Sequence, residues 1–414
     1  MNSEGRRELA LFVFVPFCKI KCTYCDFNAY ANLARIMEPY ARAVVQEIER
    51  WHDRTDAPVM PAKSIYFGGG TPSIVPVEHI GAILQACTRS FPLLPDAEIT
   101  VEANPGTVDL EKLDTLRSLG VNRLSLGVQA FDDAVLKRLN RGHTVADALR
   151  TLSDARRAGF DNINLDLIYG LPLQTMDDWQ STVGKALALA PEHLSLYALT
   201  IEQHTGLAFQ IARGKYPRPD DDLAADMYSY AETALAEAGY EHYEISNWGK
   251  RRGAELQVSS DSGSASPSLK PETVNLETAC FASRHNLTYW RNEPYLGFGA
   301  GAHSCFGGER YWNVLSPVEY VQRIDRSEGV VGGREEIPHE LEMAEGMILG
   351  LRLSVGVSFR EFEDTYGEDP RVRYAAQFKE LDGTDLLEWT GERVCLTPRG
   401  RLLSNEVFWR LLPD

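Results

Sequence analysis

The 414-residue chain lacks any run of about 18 consecutive apolar residues, and a candidate such as Leu11 to Phe17 is far too short to cross a bilayer. It also lacks an excess of positive charge. Forty-two Lys and Arg against 59 Asp and Glu give a formal charge of −17, which leaves no excess of phosphate-neutralising charge and argues against broad non-specific nucleic-acid binding, with a local basic site left open. The N-terminal stretch MNSEGRRELALFVFV carries Glu4 and Glu8 ahead of a strand-like run and lacks the build of a cleaved leader, which leads to the expectation of a cytoplasmic protein. With 44% hydrophobic and 24% charged residues, global disorder, a collagen-like fibre and a coiled coil are excluded. The length implies two or three domains.

Seven cysteines cannot all pair, and they are unevenly spread. Cys18, Cys22 and Cys25 fall within eight residues, while Cys87, Cys280, Cys305 and Cys395 stand singly. In a reducing compartment such a cluster points to a metal or a cluster cofactor rather than to disulfides. The single cysteines read as small buried apolar residues.

From residue 11 to about 200, short β-rich runs alternate with amphipathic helical stretches, as in a parallel sheet with crossover helices. The pattern predicts strands at Leu11–Val15, Ser64–Phe67, Glu98–Glu102, Arg123–Leu126, Asn162–Ile168 and His193–Tyr197. It predicts helices at Pro39–Arg50, Val77–Arg89, Leu110–Leu119, Ala146–Ala158 and Met176–Ala190. The class is α/β. Polar or glycine residues recur just after these strands, where parallel barrels place their chemistry: the three cysteines, Gly68-Gly69-Gly70-Thr71-Pro72, Glu102 with Asn104, Gln129, Asp166 and Tyr197. Further on, Asp221–Glu237 reads as a helix and His242–Ile245 as a short strand, and residues 253–279 are rich in Ser, Gly and Pro and read as a flexible insertion. The glycine-dense GFGAGAHS, a helix at Pro338–Leu351 and a run of small elements point to a smaller α+β or helical domain over 281–414.

Spacing of three and then two residues lets one loop fold Cys18, Cys22 and Cys25 around one face of an inorganic cluster. A [4Fe–4S] cube usually takes four thiolates, so three would leave one iron open, and an open coordination position marks a reactive site. Structural zinc and a chance grouping of buried cysteines are the competing readings. Zinc would want a fourth ligand nearby, and the first histidine after Cys25 is His52, with Asp26 the only close carboxylate.

PFCKIKCTYCDF, with its CxxxCxxC spacing and an aromatic before the third cysteine, resembles the cluster loop of radical S-adenosylmethionine (SAM) proteins. More narrowly, GGGTPS, VEANPGT, RLSLGVQAF, LNRGHT, DLIYGLP, YEISNW, SRHNLTYW, GFGAGAHS and LTPRGRLLSNEVF are similar, in order along nearly the whole chain, to the branch containing oxygen-independent coproporphyrinogen III oxidase and the haem chaperone HemW. The resemblance implies a partial (β/α)6 radical SAM barrel over 8–248, with Cys18, Cys22 and Cys25 holding a [4Fe–4S] cluster whose fourth iron takes the amino and carboxylate groups of SAM. Gly69, Gly70 and Thr71 would then line the methionine end, Glu102 and Arg141 would meet its charged ends, and Gln129 and Asp166 would hold the ribose. Without the resemblance, Glu102 reads as a solvated or helix-capping carboxylate, Arg141 as a helix-terminal cap, and Gln129 carries no signal. Asp166, set in the apolar INLDLIYG, needs a partner if buried. The branch commonly carries a tyrosine and a histidine where this chain has Phe12 and Phe14, which bears on SAM positioning and not on cluster binding.

Two activities are implied within the branch, an oxidase that decarboxylates a porphyrinogen and a chaperone that binds haem and hands it on. The oxidase resembles CxxxCxxCxC and has a long N-terminal extension, whereas here Phe27 stands at the last cysteine position and ten residues precede the first strand; both differences favour the chaperone. His285-Asn286-Leu287-Thr288-Tyr289-Trp290 matches the HNxxYW motif of HemW-type haem binding, with His285 as the iron ligand. On residue types alone, His285 and Asn286 read instead as bracing the loop after the insertion, with Tyr289 and Trp290 in a core. His303 and His143 read as structural. The partners implied are haem, a haem-accepting protein and, as a homodimer, a second copy of the chain.

Overall fold

Runs of Val, Ile, Leu and Phe with few polar breaks suit strands buried on both faces, and such strands build the first part of the chain. The computed structural model describes residues 8–52, 60–252 and 275–413. Six strands, β1 (Leu9–Val15), β2 (Ala62–Gly69), β3 (Leu93–Ala103), β4 (Arg123–Gln129), β5 (Ile163–Tyr169) and β6 (His193–Ala198), pair in parallel and in sequence order. The helices α1 (Met37–His52), α2 (Val77–Ser90), α3 (Leu110–Ser118), α4 (Val145–Arg157) and α5 (Met176–Ala188) lie in the crossovers. This is the expected partial (β/α)6 barrel, with each predicted strand and helix present and most bounds moved by one to three residues.

Local chemistry explains the bounds. Thr144 and Asp147 form a capping box at the start of α4, and Thr175 and Asp178 form another at α5, each satisfying orphan N–H groups of the first turn. On α2 the buried face is Ile80, Ile83, Leu84 and Cys87, at helical spacing. The largest deviation is β3, which begins five residues early despite Pro95; its register against β2 jumps between Ala62 and Ser64, and that irregularity accommodates the proline.

Residues pack into two compact units, one of Met1–Met227 with Pro294–Glu336, the other of Tyr228–Glu293 with Ile337–Asp414. The expected division at 248 and 281 therefore differs from the observed packing: 294–336 join the barrel unit. The reason is pairing that no local pattern reveals. Four further strands, β7 (Tyr295–Phe298), β8 (His303–Phe306), β9 (Glu309–Asn313) and β10 (Val331–Glu336), extend the sheet beyond β1, with β7 parallel to β1 and the rest antiparallel, in the order β10-β9-β8-β7-β1-β2-β3-β4-β5-β6. Gly299 carries φ +103 and sits where a Cβ would lie 2.7 Å from the Phe14 carbonyl, so only glycine lets the turn after β7 close on β1.

The second unit contains the hairpin Tyr240–Glu244 and Asn247–Lys250, the short helix Arg284–Trp290, the helix His339–Leu351 and a three-stranded sheet of Val357–Ser358, Arg393–Leu396 and Leu387–Thr390. Its core gathers Met343, Met347, Leu351, Phe359, Phe362, Val394 and Val407. Of the insertion expected at 253–279, residues 253–274 lie outside the described residues, and Leu276–Ala279 forms a helical turn. Cys87, Cys280 and Cys395 are buried as expected, whereas Cys305 on β8 is only half-buried. No helix among the described residues is long and apolar enough to cross a membrane.

Candidate functional site

Parallel strands direct all their C-terminal ends to one side, and six such ends here surround a cavity of about 440 Å³. Its lining includes every site residue expected on the barrel: Cys18, Cys22, Cys25, Gly69, Gly70, Thr71, Glu102, Gln129, Arg141 and Asp166. His285 is not among them. It belongs to the second unit.

The cysteine loop leaves β1 and is tied down by backbone. Phe17–Cys18 pairs with Tyr30–Ala31, Thr23 N–H donates to the Leu139 carbonyl at 3.1 Å, and Leu207 N–H donates to the Thr23 carbonyl at 2.7 Å. Asn140 Nδ2 adds a bond to the Lys21 carbonyl at 2.9 Å. The three thiols are free and half-buried, and burial pushes those of Cys18 and Cys25 up. No three His, Cys, Asp or Glu side chains among the described residues gather round a single-ion position.

The glycine run is fixed by what surrounds it. A Cβ on Gly70 would stand 2.6 Å from the Phe17 carbonyl oxygen and 2.7 Å from that of Val15, while Gly70 N–H donates to Val15 at 2.8 Å and Thr71 N–H to Phe17 at 2.7 Å. At Gly69, φ is +106 and a Cβ would meet the Phe14 ring at 2.9 Å. Phe14 thus packs over the glycine and Phe12 stacks on Tyr66 at 6.0 Å, so both phenylalanines serve as packing. Gly70→Ala is expected to push against main chain on both sides, to cost about 1–3 kcal/mol and to loosen the cysteine loop; urea denaturation with iron analysis of the same variant checks this.

Further in, Glu102 accepts from Tyr66 Oη at 2.8 Å and from Gly69 N–H at 3.3 Å. Burial, and after it the neighbouring Asp166, raise its pKa to about 7. Asp166 accepts from Asn164 Nδ2 at 2.8 Å and Ser125 Oγ at 3.1 Å, which supplies the partners its apolar surroundings required, and burial raises its pKa as well. Both carboxylates keep some exposure only because the cavity reaches them. Gln129 is turned toward the cavity by an irregularity in β4 between Leu126 and Gln129 and by its own left-handed backbone, φ 67.

Arg141 is held by four hydrogen bonds. Nη2 donates to Gly127 O at 2.6 Å and to Asn104 Oδ1, while Nη1 reaches Cys22 Sγ and Tyr24 Oη, each at 3.4 Å. Nε is buried without a partner. Asn104 also donates to Thr71 Oγ1 at 2.9 Å, and Thr71 touches Cys18 Sγ at 3.6 Å. Sequence reasoning missed Tyr66, Ser125 and Asn164 as supports of this site. The last two had a signal: polar residues inside largely apolar strands, RLSLGV and INLDL, with Ser125 directly opposite Asn164.

In the second unit, His285 is 2% exposed and Nε2 lies 3.0 Å from Tyr289 Oη. Ser283 caps its helix by accepting from Asn286 N–H.

Comparison with known proteins accords with this layout. The radical SAM superfamily pattern matches residues 12–186, and the HemN C-terminal domain pattern matches 337–403. The heme chaperone HemW of Bacillus subtilis is 35% identical over 404 residues, covering 97% of this chain and 99% of that protein. HemW of Lactococcus lactis is also 35% identical, covering 97% of each. Among solved structures, coproporphyrinogen III oxidase (HemN) from Escherichia coli, a radical SAM enzyme, superposes with a TM-score of 0.79 over 98% of this chain and 90% of that one; at 24% identity this shows a shared fold. With close to full-length identity above one third to these chaperones, the chain belongs to the HemW family of radical SAM proteins.

Proposed function

We propose that this protein is a haem chaperone that carries a SAM-ligated [4Fe–4S] cluster, binds haem and transfers it to an acceptor protein. The observation that carries the reading is the placement of three free thiols on the same cavity as Glu102, Asp166 and the glycine-lined end of β2.

Cys18, Cys22 and Cys25 would hold the cluster, whose chemistry when bound is electron delivery at an iron left open for SAM. The chain's own contribution is positioning. Glu102, fixed by Tyr66 and Gly69, would accept from the ammonium of SAM, and Arg141, on the same cavity, would meet its carboxylate. Gln129 and Asp166 would take the ribose hydroxyls. The proposed setting is the cytoplasm, where a reducing environment keeps such a loop free of disulfides. Phe27, at the position of the oxidase's further cysteine, is 63% exposed and offers no fourth thiolate.

His285 is the proposed haem-iron ligand. Because Nε2 faces Tyr289, uptake would exchange that contact for iron, which calls for opening of the Arg284–Trp290 helix. Haem titration followed at the Soret band is expected to show about tenfold or greater weakening in His285→Ala, a loss of about 1.4 kcal/mol or more. Tyr289→Phe, which removes that contact, is expected to bind at least as tightly as the parent; unchanged binding in His285→Ala would remove the residue from the site.

A further inference from the structure

A cluster ligand's sulfur responds to the hydrogen bonds it accepts, and these bonds are one of the protein's levers on reduction potential. Arg141 is placed to pull that lever. Its Nη2 is anchored on the strand ends by Gly127 O at 2.6 Å and by Asn104 Oδ1, which fixes the plane of the guanidinium and turns Nη1 toward Cys22 Sγ at 3.4 Å. Tyr24 Oη, at the same distance from Nη1, holds the other side. The family resemblance implies this arginine for the carboxylate of SAM, yet both terminal nitrogens already have protein partners, and one of those partners is a cysteine of the loop.

We propose that Arg141 is a positioning residue that raises the cluster's reduction potential by donating an N–H···S hydrogen bond to Cys22, independently of SAM. The inference rests on the reading of Cys22 as a cluster ligand. Its physical basis is simple: one electron from an external reductant makes the cluster and its thiolates more negative, no proton need move, and both a donated hydrogen bond and a buried charge that never deprotonates favour the more negative state. Asn104 acts one step behind, holding the arginine and reaching Thr71 and thereby Cys18.

The test is an anaerobic one-electron redox titration of the SAM-free holoprotein, with iron counted on every sample, comparing the parent with Arg141→Gln and Arg141→Lys. Both variants are expected to keep full iron. At a fixed potential the ratio of reduced to oxidised cluster is expected to fall about tenfold in Arg141→Gln, a shift of about 59 mV to lower potential for a one-electron couple. Arg141→Lys keeps the charge but loses the planar fork and is expected to fall between the two. Unchanged potentials at full iron would overturn the proposal, as would a shift seen only after SAM is added, which would return the arginine to the carboxylate alone. Loss of iron in both variants would overturn it in favour of a role in assembly. Cys22→Ser run alongside separates the two levels: full iron in that variant would remove the cluster assignment itself.

Discussion

Cys22→Ser is expected to bring anaerobically purified protein from about four irons per chain to nearly none and to abolish its visible chromophore. The size of the effect follows from the ligand count, since a cube held at only three corners cannot give up one of them. The fold should survive, because main-chain bonds from Thr23 to Leu139 and Leu207 and the pairing of Phe17–Cys18 with Tyr30–Ala31 secure the loop without help from metal. Far-ultraviolet circular dichroism should therefore be unchanged. Cys87→Ser is the control: its thiol is buried on α2, away from the cavity lining, and its replacement is expected to leave iron content intact.

Glu47→Leu should produce the largest loss of stability, about 3–5 kcal/mol by urea denaturation. Glu47 lies on the buried face of α1 and accepts from Gly299 N–H at 2.8 Å, Asn313 Nδ2 at 2.7 Å and Tyr320 Oη. Each donor stranded without an acceptor costs about 1–3 kcal/mol. The same carboxylate also makes stability depend on pH. Burial raises its pKa from 4.5 to about 7, with the three hydrogen bonds opposing the rise. Between those values the folded chain holds a proton that the unfolded chain has released, so this group's contribution is full below pH 4.5 and is lost as pH rises through about 7. Glu47→Gln removes that slope. Subtracting its urea-derived stability from the parent's at each pH isolates Glu47 from Glu102, which acts in the same direction, and from His143, which burial lowers to about 4 and which acts in the opposite one.

The barrel was legible because its information is local. Each of β1 to β6 is an apolar run, each crossover helix has helical apolar spacing, and two begin with a capping box. The residues expected on the barrel converge because parallel pairing leaves them no other side on which to emerge. What stayed hidden was carried by distant partners. YLGF is four residues inside a glycine-dense stretch, and it becomes a strand only because the free edge of β1 pairs with it while Glu47, 252 positions from Gly299, holds the following turn. Tyr66 looked like one more aromatic in a buried strand; its role appears only when Glu102 of the next strand is placed 2.8 Å away. The dual engagement of Arg141 was invisible for the same reason, since Cys22 is 119 positions from it.

The account stands on three thiolates presenting an iron cube with one open corner to the cavity at the barrel mouth. Mössbauer spectroscopy of oxygen-free protein grown on enriched iron, recorded before and after SAM is added, tests it most directly. The expected result is a four-iron spectrum in which one site alone shifts on adding SAM. A spectrum with no cluster iron, or one in which no site responds to SAM, would contradict it.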